Sequence, residues 1–464
     1  MTPLPRLQVS STGHYLVTEQ CEPFFWLGDT AWRMIQRAVL SDNSDQPSAS
    51  LYFEARRSQG FNVVQTVAAR HGAVVNAEGH PAFHEGDFTR PRVVDGPGND
   101  YWDLCDALLD LSQANGFYVA LLPLWLNAID ENDPILRDPS IAYRYGRFLG
   151  HRYNQRTHLI WVMGGDPSYR QGRDVNRPER LALVRALAEG VADGTNNHGT
   201  YDGKADWSST LMTYHPRGGG YSSSLHLHRE AWMDFNMVQT TTLFDFANYR
   251  TIAADVARRP PKPTLDAEVA YEGSLSLSKK EPQNRRIAPW DVRRAAYWAV
   301  FAGAFGHTYG HRSFIAWTRL NERNRWGAYI PWFDALDTPG ARQMRHLNQL
   351  MTSLAFFSRI PDQSVIVGDT GAGVNHARAT RDAEGSYILV YLPTGRPTDI
   401  NLETLNGPRA AVTWFNPRDG SRQAVEPVAT REIHRFRPPT SGDGQDWVLM
   451  LQSIPASLTT TTSS

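Results

Sequence analysis

Eight short apolar segments, rich in β-branched and aromatic residues, recur along the first part of the chain. Most are continuous apolar runs rather than strict apolar–polar alternations, which is typical of strands buried on both faces of a parallel sheet. The segments are FFWLGD from Phe24, FNVVQTV from Phe61, FYVALLPLW from Phe117, LIWVMGGD from Leu159, STLMTYH from Ser209, FNMVQTT from Phe235, PTLDAE from Pro263 and HTYGH from His307.

Helical patterns fall between several of these segments. Apolar residues recur at helical spacing in residues 101–116 and 178–194, and each pattern ends at a glycine. A third pattern, residues 288–306, places Pro289 in its first turn, where the missing N–H costs nothing. Strands followed by helices, with eight strands in all, predict an α/β fold of the (β/α)8 TIM-barrel type.

The pattern of apolar and turn residues changes after a last helical pattern between Pro339 and Phe356. Short strand-like segments then follow one another, separated by Gly, Pro, Asn and Asp turns, which is the pattern of an antiparallel β-sandwich. We therefore predict two domains. Residues 1–356 form the barrel with a short N-terminal β extension, and residues 357–464 form an accessory sandwich that packs on the barrel as a support.

Composition excludes several classes of protein. Lys plus Arg is 47 and Asp plus Glu is 48, so the net charge of −1 gives no basic face for nucleic acid. No apolar run is long enough to span a membrane, and the N-terminus lacks the basic and apolar regions of a secretory signal. We expect a cytoplasmic protein, or a secreted or periplasmic one if a signal was removed. The oligomeric state stays open.

Cysteines and histidines give no sign of a metal or cofactor. Cys21 and Cys105 have neither metal-ligand spacing nor the pattern of a disulfide framework. The five histidines that invite a metal assignment fit no zinc motif: His71, His80, His84, His226 and His228. We expect no metal and no cofactor.

The carboxyl ends of barrel strands line the active site in this kind of fold, so the residues there are the first candidates for chemistry. Asp166 follows the fourth predicted strand and Glu268 ends the seventh. A pair of carboxylates is what a glycoside hydrolase uses, one as an acid and one as a nucleophile or base. Period-two alternation puts Asp266 on the same side of its strand but one layer deeper, and Glu272 beyond the strand as a solvated loop charge.

Aromatic, amide and imidazole side chains at the same ends suit the ring faces and hydroxyls of a sugar. For Asp29 a structural role, as a helix cap or in a salt bridge, is an equal alternative. For Trp125, core packing is the alternative. The predicted substrate-binding residues are Asp29, Trp32, Gln65, Trp125, Tyr214, His215, Gln239, Tyr271 and His307.

Several sequence blocks together resemble the apiosidase-like glycoside hydrolases, family 140, whose members carry a C-terminal domain named for collagen binding. The resemblance covers nearly the whole chain and rests on FFWLGDTAW, LIWVMGGD, MTYHPRGG, WMDFNMVQT, LDAEVAYEG, GSYILVYLPTGRP and TWFNPRDG. It implies a retaining enzyme that cleaves links at apiose, a branched pentose of plant glycans and glycosides. Carried onto matching positions, Asp166 becomes the acid/base and Glu268 the nucleophile. The broader clan usually has Asn-Glu where this chain has Gly165-Asp166.

Other functions stay open at this point. The same chemistry could act on arabinofuranose, xylose or rhamnose, because a fold does not decide the substrate. A non-catalytic carbohydrate- or collagen-binding protein is a second alternative, and the paired carboxylates argue against it. A peptidase is a third, but the chain has no HExxH or GxSxG motif and no exposed nucleophilic cysteine at a strand end.

Overall fold

A computed structural model describes residues 3–167, 177–240, 243–277, 285–322 and 327–455 of the 464-residue chain. The end of the predicted second domain, residues 456–464, lies outside the described residues. The first described strands form a three-stranded antiparallel sheet in the order β1-β2-β3. Its strands are β1 (Leu7–Val9), β2 (Leu16–Thr18) and β3 (Pro23–Phe24). The predicted division into two domains, with its boundary after residue 356, stays a prediction.

A curled parallel sheet follows, with six strands in the order β12-β4-β5-β6-β7-β8. All its neighbouring strands are parallel, so their carboxyl ends meet at one edge. The strands are fully buried, which explains their continuous apolar sequences. They are β4 (Trp26–Thr30), β5 (Val63–Val67), β6 (Tyr118–Leu122), β7 (Leu159–Gly164), β8 (Met212–His215) and β12 (Gly306–Tyr309).

A second sheet supplies the remaining predicted strands. Its order is β11-β10-β9, with β10 and β11 parallel and β9 antiparallel to β10. The strands are β9 (Tyr221–Ser222), β10 (Asn236–Gln239) and β11 (Thr264–Glu268). All eight predicted strand segments are therefore confirmed as strands. The two-residue β9 has no apolar pattern of its own and was not predicted.

Helices alternate with these strands, so the first part of the chain is a mixed α/β fold around a parallel half-barrel. The predicted helices are confirmed as α3, α5, α8 and α10. The third ends at Phe301, earlier than its apolar pattern, because the chain then turns through Gly303 with φ of 110°. The helices are α1 (Met34–Arg37), α2 (Ala49–Ser58), α3 (Tyr101–Ala114), α4 (Pro139–Arg152), α5 (Pro178–Thr195), α6 (Ser224–Leu227), α7 (Asn248–Val256), α8 (Pro289–Phe301), α9 (Arg312–Ala316) and α10 (Pro339–Thr352).

The C-terminal part contains antiparallel strands and, within its described residues, no α-helix. Six strands form one sheet in the order β13-β15-β16-β21-β18-β19, and three form another in the order β14-β17-β20. The strands are β13 (Arg359–Pro361), β14 (Ile366–Val367), β15 (Arg378–Asp382), β16 (Tyr387–Leu392), β17 (Thr398–Asn401), β18 (Arg409–Phe415), β19 (Arg422–Ala429), β20 (Ile433–Phe436) and β21 (Trp447–Ile454).

The larger C-terminal sheet packs on the α/β part of the chain through buried aromatic and charged groups. One face of the larger sheet joins the main hydrophobic core, while the other face shares a separate cluster with the smaller sheet. Tyr297 of α8 stacks on Tyr391 of β16 at 4.9 Å between ring centroids. Arg293 of α8 forms a two-pronged ion pair with Asp446 at 2.6 and 2.9 Å, and both side chains are buried.

None of the described helices combines the length and the apolar character that a membrane crossing requires.

We predict that Asp446→Asn destabilises the whole protein by about 3–5 kcal/mol, because it leaves the Arg293 guanidinium buried without its counter-charge. Chemical denaturation followed by fluorescence and circular dichroism measures the loss. Asp399→Asn is the control, since Asp399 pairs with Arg435 on the exposed surface of the same C-terminal sheets and should change stability little. Equal and small losses in both variants would contradict the structural role of the buried pair.

Candidate active site

A cavity of about 420 Å³ opens at the carboxyl ends of the parallel strands. Each wall comes from a residue at or just after a strand, as expected where parallel strands end together. Both predicted catalytic carboxylates lie in this cavity. It is lined by Trp32, Arg70, Trp125, Asn127, Asp166, Glu268, Tyr271, Arg312 and Ile315.

Glu268 is the last residue of β11, and its backbone is fixed by the neighbouring strand. Thr240 N–H donates to its carbonyl oxygen at 2.9 Å, and Glu268 is in register with Gln239 across an irregularity in the β10–β11 ladder. Its side chain is 15% exposed. The strand therefore holds the carboxylate at the cavity wall, where it is largely desolvated but still reaches a ligand.

His215 lies behind Glu268. Its Nε2 atom is 3.0 Å from Glu268 Oε2, close enough for an ion pair when the imidazole is protonated, although the two are out of line for a hydrogen bond. The imidazole is wholly buried and contacts two indoles, Trp32 at 5.1 Å and Trp125 at 5.4 Å between ring centroids. His215 was predicted to contact substrate, but it does not line the cavity and instead contacts the carboxylate that does.

Asp166 is reached through a run of backbone that only special residues tolerate. Gly164 and Gly165 have φ of 95° and 104°, and Asp166 itself has φ of 50°. A Cβ on Gly165 would lie 2.9 Å from the Cα of Trp125. The two glycines therefore let the chain turn from β7 into the cavity and bring it close to Trp125.

Burial and charge set the protonation of Asp166. Burial first, and then the negative charge of Glu268, raise the pKa of Asp166 to about 6, against the opposing influence of His215, Gly218 and Arg70. Gly218 N–H donates to Asp166 Oδ1 at 3.4 Å. This carboxyl group is therefore protonated in weakly acidic solution, unlike an ordinary aspartate.

The family of the chain follows from comparison with known proteins. Residues 10–358 match the family model described as "Apiosidase-like, catalytic domain". The chain belongs to the apiosidase-like family. Its assignment to glycoside hydrolase family 140 stays a prediction.

Solved structures agree with this family. One, described as a glycoside hydrolase, is 30% identical, with 97% of each chain covered and a TM-score of 0.83. Another, a glycoside hydrolase family 5 structure from Bacteroides vulgatus ATCC 8482, is 30% identical with a TM-score of 0.84, covering 97% of this chain and 92% of that one. This apiosidase-like protein is therefore a glycoside hydrolase, as predicted.

The C-terminal part matches a different model. Residues 360–452 match the family described as "Putative collagen-binding domain of a collagenase". The search of curated proteins gave no match.

Asp266, close to Glu268 along the same strand, receives its hydrogen bonds from other residues of this apiosidase-like enzyme. Asp266 is fully buried, as its predicted deeper position requires, and accepts hydrogen bonds from Asn248 at 2.9 Å and Thr240 at 3.3 Å. Burial, as the main cause, raises the pKa of Asp266 to about 8.

The prediction for Glu272 was wrong. It is 4% exposed rather than solvated. Its carboxylate accepts a hydrogen bond from Tyr309 Oη at 2.6 Å and another from Gly340 N–H at 3.0 Å. Gly340 lies in the first turn of α10, where backbone N–H groups and the helix dipole favour a negative charge, so Glu272 anchors that helix.

Three predicted substrate-binding residues line the cavity. The indoles of Trp32 and Trp125 contact each other at 4.9 Å between ring centroids, and Tyr271 lies on the wall beside Glu268. The Tyr271 hydroxyl is buried without an aligned partner among the described residues. Burial, and then the charge of Glu268, raise the pKa of Tyr271 well above its usual range.

The remaining candidates lie outside the cavity. Asp29 is wholly buried and receives hydrogen bonds from Arg56 at 2.6 Å and Tyr52 at 2.9 Å. These contacts match the salt-bridge role that we gave as the alternative to sugar binding. Gln65 is also wholly buried, and its amide donates to the Ala267 carbonyl at 2.8 Å.

His307 of β12, Tyr214 of β8 and Gln239 of β10 are buried, also away from the cavity wall. Burial lowers the pKa of His307 to about 3, so this imidazole stays neutral. Whether any of these residues contacts substrate stays a prediction.

Arg70 and Arg312 line the cavity but were not predicted. Arg312 donates to Ser274 Oγ at 3.0 Å, and the guanidinium of Arg70 lies 5.2 Å from the ring centroid of Trp125. Both follow strands, β5 and β12, by three residues, so the strand-end rule extended along each loop would have found them. Within the described part of the chain, no group of three or more His, Cys, Asp or Glu side chains could hold a metal ion.

We predict that Gly165→Ala lowers kcat/KM by about a hundredfold, because the added Cβ meets backbone atoms of Trp125 and Leu126 and displaces Asp166. The measurement is steady-state hydrolysis of an aryl glycoside that the wild type cleaves, with thermal unfolding to verify folding. Gly79→Ala is the matched control: Gly79 has φ of 88°, but its added Cβ would meet nothing within 4 Å. Equal losses of activity in both variants would show that backbone strain, rather than displacement of Asp166, is responsible.

Proposed function

We propose that this glycoside hydrolase cleaves a glycosidic bond of apiose in plant-derived glycans or glycosides, with retention of configuration. The observation that carries the proposal is the pairing of Asp166 and Glu268 in one cavity, with the pKa of Asp166 raised to about 6. A carboxylic acid that is protonated in weakly acidic solution beside a second carboxylate is what double displacement requires. The apiosidase-like family supports the sugar.

In the first step, Glu268 attacks the anomeric carbon while Asp166 gives its proton to the oxygen of the departing group. The contact between His215 and Glu268 Oε2 leaves Oε1 as the attacking atom. The bond from carbon to the leaving oxygen breaks as the bond to Glu268 forms, which yields a covalent glycosyl-enzyme.

In the second step, water releases the sugar. Esterification of Glu268 removes the negative charge that helped to raise the pKa of Asp166, so Asp166 becomes a stronger acid and, as its carboxylate, takes a proton from the water. The water oxygen bonds to the anomeric carbon, and Glu268 leaves as a carboxylate. Both groups return to their starting states.

The chemical groups on the cavity walls suit a sugar such as apiose. Trp32, Trp125 and Tyr271 offer aromatic faces for C–H groups, while Asn127 and the two arginines offer hydrogen-bond donors for hydroxyls. Arabinofuranose, xylose or rhamnose would meet the same walls, so a second pentose or a deoxysugar is the alternative substrate.

We also propose that the parallel strands close into a full (β/α)8 barrel and that the C-terminal sheets form a sandwich. Two backbone hydrogen bonds support closure, from Asp234 N–H to the Met212 carbonyl at 2.9 Å and from Phe305 N–H to the Thr264 carbonyl at 3.1 Å. They join the two parallel sheets at both junctions. The hydrophobic cluster shared by the two C-terminal sheets supports the sandwich.

We predict that Glu268→Gln and Asp166→Asn both abolish sugar release from natural glycosides. The assay measures free sugar from apiosyl flavonoid glycosides, pectin fragments, and aryl arabinofuranosides and xylosides. Asp166→Ala should retain most of its kcat/KM on aryl glycosides with a good leaving group, because the first step then needs no proton, and lose about 10²–10⁴-fold of it on poor ones. Its kcat should fall on both kinds of substrate, because the second step loses its base. Asp266→Asn is the control, because Asp266 is buried outside the cavity.

Sodium azide added to Glu268→Ala should restore turnover and give a glycosyl azide of inverted configuration, because azide fills the space of the missing nucleophile. An inverted sugar as the product of the wild type would exclude the retaining mechanism. Release of another sugar would change the substrate alone. Full activity in Glu268→Gln would refute the assignment of the nucleophile.

We predict that kcat/KM falls as the pH rises through about 6, because Asp166 must be protonated in the first step. Arg70→Gln removes a positive charge that lowers the pKa of Asp166, so the falling limb of the plot of kcat/KM against pH should move to higher pH. The pH at which this limb falls is the readout, because the maximum value of kcat/KM also changes when a cavity residue is replaced. Arg90→Gln, on the exposed surface, should leave the limb in place. An unmoved limb in Arg70→Gln would contradict this role of Asp166.

A further inference from the structure

A second cavity, of about 370 Å³, lies at the opposite end of the parallel strands from the active site. Its walls include Tyr118 and Leu159, the first residues of β6 and β7, and Leu211, just before β8. The N-terminal strand β1 covers one side. Catalytic residues lie at the carboxyl ends of strands, so this cavity at the amino ends is separate from the chemistry.

Two indoles give this cavity unused hydrogen-bond donors beside flat apolar surface. Trp161 is 4% exposed, and Trp207 is partly buried in the turn before β8. Neither Nε1 atom donates to an acceptor among the described residues, and neither is among the fully buried polar atoms that lack a partner. Both N–H groups are therefore open to solvent, so a ligand that accepts hydrogen bonds can pair with them where its ring lies against the indoles.

Polar groups surround the indoles without an excess of either charge. Arg6 is fixed by donating to the Ser209 carbonyl at 2.6 Å, and Asp234 accepts a hydrogen bond from Met212 N–H at 2.7 Å. Burial, as the main cause, raises the pKa of Asp234 to about 7, so this carboxyl group can donate or accept near neutral pH. The lining holds Arg6 and Arg156 against Glu19 and Asp234, a balance that favours a neutral ligand.

We propose that this cavity is a second, non-catalytic binding site for a neutral sugar, in which Trp161 and Trp207 contact the ring and Arg6, Asn154 and Asp234 bind hydroxyl groups. Aromatic faces with a few polar groups at the rim are how proteins bind sugars generally. Such a site holds a polysaccharide chain on the enzyme independently of the cavity that cleaves it. The inference does not depend on apiose as the substrate, only on a neutral carbohydrate ligand.

The test is calorimetric titration of xylotriose, arabinotriose and mannotriose, up to about 10 mM, into the full chain carrying Glu268→Gln. Adding Trp207→Ala should weaken binding of at least one trisaccharide about tenfold, as expected for loss of one aromatic contact. Adding Trp125→Ala, in the active site, should leave that binding unchanged. Tyr201→Ala, an exposed tyrosine outside both cavities, is the surface control.

In the otherwise wild-type chain, Trp207→Ala should leave kcat on a small aryl glycoside unchanged. Asn154→Ala is a second variant at the site and should weaken binding in the same direction. Binding that is lost with Trp125→Ala but kept with Trp207→Ala would overturn the proposal. So would the absence of binding of all three trisaccharides, whatever sugar the enzyme releases from its substrates.

Discussion

Two partly buried carboxyl groups share one cavity, and this proximity governs the chemistry of the molecule. Burial and the charge of Glu268 both disfavour a second negative charge on Asp166, so Asp166 stays protonated up to a pH of about 6, well above the range of an ordinary aspartate. The same proximity makes the two groups change together, because removing the charge of one lowers the pKa of the other. A single geometric arrangement therefore supplies both the acid and the base that the proposed mechanism needs.

This arrangement requires unusual backbone conformation and side-chain packing around the two carboxyl groups. Asp166 sits at a backbone φ of 50° after two glycines, and Glu268 is backed by a wholly buried imidazole. Strained backbone of this kind persists only where surrounding structure holds it. Here the support comes from Trp125, which packs against Gly165 and His215 at once. One indole thus helps to position the acid and the residue behind the proposed nucleophile.

Sequence patterns predicted the strands of the first part of the chain well, because strands buried on both faces of a parallel sheet have continuous apolar sequences. They failed for strands such as β19, where exposed residues include Arg422 and Glu426 and the pairing comes from a neighbouring strand. The strand-end rule placed Asp166, Glu268, Trp32 and Trp125 correctly at the cavity. The rule gives the position of a residue along its strand but not the direction in which its side chain points. Gln65 and His307 were therefore also chosen, although they lie in the buried interior. Arg70 and Arg312 lie three residues after their strands, as Trp125 does, but an arginine there is not distinguished by any pattern from an ordinary exposed charge.

Hydrogen-bond satisfaction separates the structural carboxylates from the candidate catalytic ones, and no sequence pattern contains that information. Asp29 has donors from Arg56, Tyr52 and Thr30, and Glu272 has donors from Tyr309 and Gly340. Most of these partners are tens of residues away along the chain, so their pairing is visible only after folding. Among the described residues, Asp166 has one long hydrogen bond and Glu268 Oε2 has no aligned donor. A partly buried carboxyl group with so few donors destabilises the fold, and a substrate that supplies the missing donors explains why such groups are kept here.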